Sequence, residues 1–206
     1  LGTFSFAYGA ANKVTGPASV AWGNSNKVRG NLSFAAGQRN TILGGLNYAF
    51  GMENSVNGSG AMAVGQFNTA AGEYSFAAGE GNKALSRHSV AMGEYATASD
   101  YIAVAIGSYV TASGWSATSF GGNSSATGAG SFTAGIDNQA TAHYAAAIGT
   151  NNRAAGQAAF SLNRGTRANG AASMAIGDSS VANGPASLAA GYKSTAGSAS
   201  SIALGY

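Results

Sequence analysis

At 206 residues, with 32 glycines, two prolines, no cysteine and only 8% charged residues, the chain departs from an ordinary globular domain, in which about a quarter of residues are charged. Its 45% apolar and 10% aromatic residues are too many for a chain left disordered by having nothing to bury, and the absence of cysteine excludes a disulfide scaffold or a thiolate metal site. The formal charge of +3 is mild, no nucleic-acid motif or phosphate loop occurs, and no run of about 20 apolar residues reads as a membrane helix.

Periodicity has to be read before secondary structure, because a missed repeat miscalls the whole fold. With Ser5 as position one, steps of 14 reach Ser19, Ser33, Asn47, Ala61, Ser75, Ser89, Ala103, Ala117, Ser131, Ala145, Ala159, Ser173, Ser187 and Ser201 without insertion or deletion. The first repeats set the pattern: Ser5-Phe6-Ala7-Tyr8-Gly9 alternates small and large residues, as a strand requires. Position five is glycine in 14 of 15 repeats, Asn163 being the exception. Asn tolerates positive φ better than most residues, so a left-handed turn conformation is expected there. Position twelve is glycine in 10 of 14 repeats and marks a second turn. Each repeat therefore holds two short strands and two turns.

Positions one and three carry only Ser, Ala, Asn or Thr, whereas positions two and four are apolar in 29 of 30 cases, with Thr118 the exception. A roll only 14 residues around has no room inside for large side chains, so the small ones face inward. The large ones, among them Trp22, Phe34, Phe50, Phe76, Ile106, Phe120, Phe132, Ile148, Phe160 and Ile176, then form an outer apolar stripe. Such a stripe exceeds the few hundred Å² that a soluble monomer usually exposes, and an obligate oligomer is expected. Large and small residues trade places within the stripe, as in Phe34/Ala36 and Val20/Trp22; Phe6/Tyr8 and Tyr48/Phe50 break the trade. In the second strand, position ten is always Val, Ile or Ala, position eight is mostly Asn, Ser or Thr, and positions seven, nine and eleven are polar and outward. None of the seventeen charged residues falls in positions one to five, so one strand faces protein and the other faces water.

The quintets Ser89-Val90-Ala91-Met92-Gly93, Ala103-Val104-Ala105-Ile106-Gly107, Ser173-Met174-Ala175-Ile176-Gly177 and Ser201-Ile202-Ala203-Leu204-Gly205 resemble the SVAIG-type motif of YadA-like heads in trimeric autotransporter adhesins. The resemblance extends over the whole chain. It implies an all-β fold, a left-handed parallel β-roll of 14-residue repeats assembled as a homotrimer around a threefold axis, with residues 1–206 as a single head of about fifteen repeats. It also implies a place on the bacterial cell surface, held to the outer membrane through a stalk and anchor that have no counterpart in these 206 residues. The implied role is adhesion to host extracellular-matrix proteins, cell-surface receptors or other bacteria, and the rival reading is a passive spacer projecting a separate binding tip.

Other chemistry finds little support. His88 and His143 lie four repeats apart, roughly 19 Å at the strand spacing, and cannot share a site in one chain. Glu80 and Glu94 hold position six of adjacent repeats and could approach a hard cation, though solvated turn carboxylates are the plainer reading. The 14-residue period does not match the six-residue period of acyltransferase β-helices, three aspartates are too few for a calcium-binding nonapeptide array, and the outward threonines are too interrupted for an ice-binding ladder. No catalytic residue, metal site or cofactor is expected. A ligand patch is expected where outward rings gather, at Tyr95, Tyr101, Tyr109 and Trp115, with Lys83 and Arg87 nearby; the same rings could instead cover neighbouring turns.

Overall fold

The computed structural model describes residues 2–205, which form two units, residues 2–102 and 103–205. Each is a parallel β-solenoid of 14-residue coils, and no helix occurs among the described residues. In the first unit, seven five-residue strands run from Phe6–Ala10 to Val90–Glu94, each followed by a two-residue strand, from Lys13–Val14 to Thr97–Ala98. The second unit repeats this from Val104–Ser108 to Ile202–Leu204. Long strands pair only with long strands and short with short, always fourteen residues on, as in Val20↔Phe34 and Lys27↔Thr41. The turns join the same ladder. Ser25 N–H donates to Ala10 O at 2.9 Å, Leu32 N–H to Pro17 O at 3.0 Å, and Lys13 N–H to Asn26 O at 2.8 Å.

The predicted facing holds within each unit. Position three and position ten are buried against each other, as with Ala35 and Ile42 or Ala147 and Ala154. Nothing larger than Ile42 is fully enclosed, because an opposite strand leaves no more width. The second unit's core is a column of alanines that includes Ala140, Ala154, Ala168 and Ala182. So thin an apolar core leaves much of the cohesion to hydrogen bonds between coils, each with a modest net worth of about 1 kcal/mol that accumulates along the stack.

The turn at position five has positive φ in both units, for example 103° at Gly9 and 141° at Gly107, and Asn163 adopts 87°. A second constraint acts there, since a Cβ on Gly107 would run into the carbonyl oxygen of Gly121 in the next coil. Where position twelve is glycine, only that second reason applies. Gly16 and Gly30 lack positive φ, but a Cβ on either would overlap the backbone one coil on. The left-handed residues of the second turn are those of position fourteen, such as Ala18, Tyr74 and His88, and a third left-handed set holds position seven.

Candidate functional site

Two features of each unit bear on function: the outer face of the long strands and the side chains at the turns. Positions two and four of the long strands are left half-buried or exposed by the monomer, with Tyr8 at 58%, Trp22 at 57% and Phe120 at 36% of full exposure. Phe34, Phe50, Phe76, Ile106, Phe132, Ile148, Phe160 and Ile176 are intermediate. Rings on this face meet across coils. Tyr8 and Trp22 touch edge to face at 5.4 Å, Phe34 and Phe50 lie 5.5 Å apart, and Phe120 and Phe132 meet at 6.0 Å. The last two contacts run diagonally beside Ala36 and Ala134, so the small member of each large/small pair is where a neighbouring ring fits. Tyr48 and Phe50, which break the trade, stack at 6.5 Å, and Tyr48 tips outward to 47% exposure.

Behind that face lies a column of buried asparagines. Asn26, Asn40, Asn54, Asn68 and Asn82 at position eight are fully buried and form one amide ladder. Asn68 Nδ2 donates to Val64 O at 3.0 Å, to Gly79 O at 2.7 Å and to Asn54 Oδ1 at 3.1 Å, while its own Oδ1 accepts from the backbone N–H of Asn82 at 2.9 Å. The ladder ties the strand face to the turn behind it and ends at Ala96, whose N–H is the last to reach it. Asn138 and Asn152 form a shorter ladder in the second unit, extended by Thr166. Six consecutive asparagines at one repeat position were the signal available in the sequence.

The residues expected to form a ligand patch divide between two edges of the roll. In the first unit, Tyr95 directly follows the strand Val90–Glu94, whereas Arg87 and Tyr101 occupy the turn that precedes such strands. A five-residue strand of about 16 Å separates those edges. Tyr95 lies over Gly81, where a Cβ would come within 2.6 Å of its ring. Tyr74 lies in the same way over Gly60, and Tyr144 over Gly130. On the other edge, Tyr101 meets His88 edge-on at 5.9 Å and His88 stacks on Tyr74 at 5.4 Å, so His88 belongs to this cluster although it lies outside the expected patch. Arg87 pairs with Glu73 at 3.3 Å and Lys83 is exposed. In the second unit Tyr109 follows Val104–Ser108, Trp115 precedes Thr118–Gly122, and both are more than half exposed.

Glu80 and Glu94 are registered neighbours bordering an open groove of about 630 Å³ with Met52 and Gln66. Among the described residues, no three His, Cys, Asp or Glu gather closely enough to hold a metal. Asp178 is held below the usual aspartate range first by its hydrogen bond from Arg164 and then by that from Ser179. The same bond raises the Arg164 guanidinium, and both groups are solvent-facing.

The profile of the YadA head domain repeat matches residues 57–82, 84–109, 168–194 and 182–206. The chain carries YadA head domain repeats over those residues. The coils outside those matches keep the same strand lengths and the same positive-φ turns, for example Phe34–Gln38 and Phe132–Ile136. YadA heads are surface proteins of the adhesin type rather than enzymes. No curated protein matches the chain significantly.

Proposed function

We propose that the chain is a single YadA-like head of fifteen coils, wound left-handed, that packs as a homotrimer around its long-strand face and attaches bacteria to host extracellular matrix, host cells or other bacteria. The observation carrying this reading is the half-exposed apolar face of positions two and four in each unit, on a roll whose backbone is otherwise tied coil to coil. Covering a large apolar side chain is worth about 1.5–3 kcal/mol. These side chains are already partly covered in the monomer and each adds a fraction of that, so a row containing Trp22, Phe34, Phe50 and Phe76, continued in kind by Ile106, Phe120, Phe132, Ile148, Phe160 and Ile176, favours association by an amount of the order of a typical folding margin. The trimer would be displayed at the outer membrane by an anchor domain.

We assign the first adhesive contacts to the outward rings and cations: Arg87, Tyr101 and Lys83 in the first unit, Tyr109 and Trp115 in the second. Tyr95 belongs with them by exposure, although its place over Gly81 gives it a covering role as well. That role favours a second reading, the passive spacer, because rings that seal turn glycines are explained without a ligand. The test is sedimentation of the purified chain followed by attachment to surfaces coated with collagen, fibronectin or laminin and to epithelial cells. A stable monomer would end the trimer proposal, and a trimer that attaches to none of these surfaces would leave the spacer.

A further inference from the structure

Charged side chains in this fold meet their counterpart in the adjacent coil, and several such pairs are of opposite sign: Arg39 with Glu53, Glu73 with Arg87, Arg164 with Asp178. On the exposed short strand, at position nine, two registered pairs are both basic: Lys13 with Lys27, and Arg153 with Arg167. Like charges set directly opposite each other weaken a sheet, so a basic pair held in register is worth examining for a partner outside the chain.

The surroundings of the arginine pair set it apart. It borders a cavity of about 210 Å³ lined also by Asp137, Gln139, Asn151 and Gly165. The cavity has a structural cause in Gly165. Of the turn glycines with φ near 60–70°, Gly60, Gly81 and Gly130 each lie beneath the tyrosine of the next coil, whereas Gly165, which lines the cavity, has only the small Ser179 beside it, 3.5 Å from where a Cβ would stand. Neither guanidinium has an ion pair among the described residues. Arg153 Nη1 reaches Asn169 Oδ1 at only 3.5 Å, and the Asp137 carboxylate accepts from the Asn123 amide.

Two guanidinium groups on strands about 4.8 Å apart offer planar forks of N–H donors suited to bidentate binding of an oxyanion. Asn151 and Gln139 can add neutral amide donors. The space is smaller than the roughly 300 Å³ at which pockets for whole small molecules begin, so it suits a charged substituent on a chain that continues outside. With two cations and the Asp137 carboxylate at the same site, the net charge favours a singly charged group over a doubly charged phosphate monoester. We propose that this pocket binds a sulfate ester of an extracellular sulfated polysaccharide. The proposal rests on the adhesive reading and gives it a ligand class.

The test uses the full chain, in whatever oligomeric state it adopts, over heparin-coated sensors at about 0.15 M salt, with fully desulfated heparin and hyaluronan as comparison surfaces. Arg153→Gln with Arg167→Gln should weaken heparin binding at least about tenfold, roughly 1.4 kcal/mol. Lys13→Gln with Lys27→Gln removes the same charge from the same repeat position without a cavity and should cost less than about threefold, the residue of diffuse electrostatics. Ser179→Tyr changes no charge but should lay a ring over Gly165, as Tyr95 does over Gly81, and weaken binding about as much as the arginine pair. Equal losses from the arginine and lysine pairs, unchanged binding by Ser179→Tyr, or equal binding to desulfated heparin would each overturn the proposal. Should the arginine variant assemble poorly, Ser179→Tyr and the charge-preserving Arg153→Lys with Arg167→Lys decide the matter. Attachment to collagen or cells that persists while heparin binding ignores the pocket removes this inference and leaves the adhesive reading; heparin binding that follows the pocket without attachment to any matrix or cell does the reverse.

Discussion

The amide ladder makes Asn68→Ala the most demanding test of how the roll is held together. Removing the side chain takes the acceptor from the buried backbone N–H of Asn82 and weakens the hold on the Asn82 amide, which keeps Ala78 O and Gly93 O. It also deprives Val64 O and Gly79 O of a donor. An orphaned buried donor costs about 1–3 kcal/mol and each lost bond to a carbonyl about 0.5–1.5 kcal/mol. The sum is about 2–6 kcal/mol per chain, of the same order as the whole stability of many domains. Asn68→Ser should cost clearly less, since the chain itself shows what serine does at this position: Ser124 Oγ accepts from Asn138 N–H at 3.1 Å and donates to Gly135 O at 3.2 Å. Urea unfolding followed by far-UV circular dichroism, at one fixed protein concentration because association contributes to apparent stability, gives both values. The reasoning is refuted if Asn68→Ala unfolds with the parent, or if serine is as harmful as alanine.

Four further outcomes are expected. Ile106→Asp or Ile176→Asp should abolish assembly in sedimentation experiments by placing charge on the apolar face, whereas Lys83→Ala should leave assembly intact; normal assembly of the Asp variants would mean the face is not an interface. Gly107→Val should lower the melting temperature sharply, combining a φ of 141° with a clash against Gly121, while Asn163→Gly should be neutral or slightly stabilising; equal melting for Gly107→Val and the parent would remove the turn argument. Because the Asp178 pKa is depressed in the folded chain, its contribution is present above the unfolded aspartate value and is lost as pH falls through the folded one, so any melting difference between parent and Asp178→Asn should shrink to nothing in acid and persist at neutral pH. Tyr101→Ser with Trp115→Ser should reduce attachment to coated matrix by more than it lowers stability; lowered melting with full attachment would assign those rings to turn covering alone.

The period, the facing of the strand positions and the turn at position five were legible because each rests on one residue at a time. A strand face shows as alternation, and the positive φ of position five shows as glycine with Asn163 as its single substitute, whereas the left-handed residues of positions seven and fourteen, such as Phe67 and His88, carry no glycine signature. The reason for glycine at position twelve was not legible. It depends on the distance from Gly16 to the backbone of Gly30, a contact fourteen residues away that leaves the same mark in the sequence as a turn. Position eight was read as small and inward, which is correct for its direction, but a buried asparagine is intelligible only through its partners, and those are the preceding and following members of the same ladder. Within the first unit, Tyr95 and Tyr101 stand on opposite edges for a related reason. Sequence spacing places Tyr95 and Tyr101 six residues apart, yet the intervening short strand carries the chain from one edge of the roll to the other.

A repeat of this kind makes each turn position a column, and the content of a column is decided by successive coils together. Glycine followed one coil later by tyrosine gives a covered turn at Gly60, Gly81 and Gly130, and glycine followed by serine gives an open one at Gly165. The ring on Gly81 contributes packing that the glycine cannot, so its removal should be felt by stability before it is felt by any ligand. The same logic runs in reverse for Arg153 and Arg167, where no tyrosine has been supplied and two like charges are kept in register beside the opening. Covered columns are therefore where stability is to be sought in this fold, and the open column is where recognition has room to act.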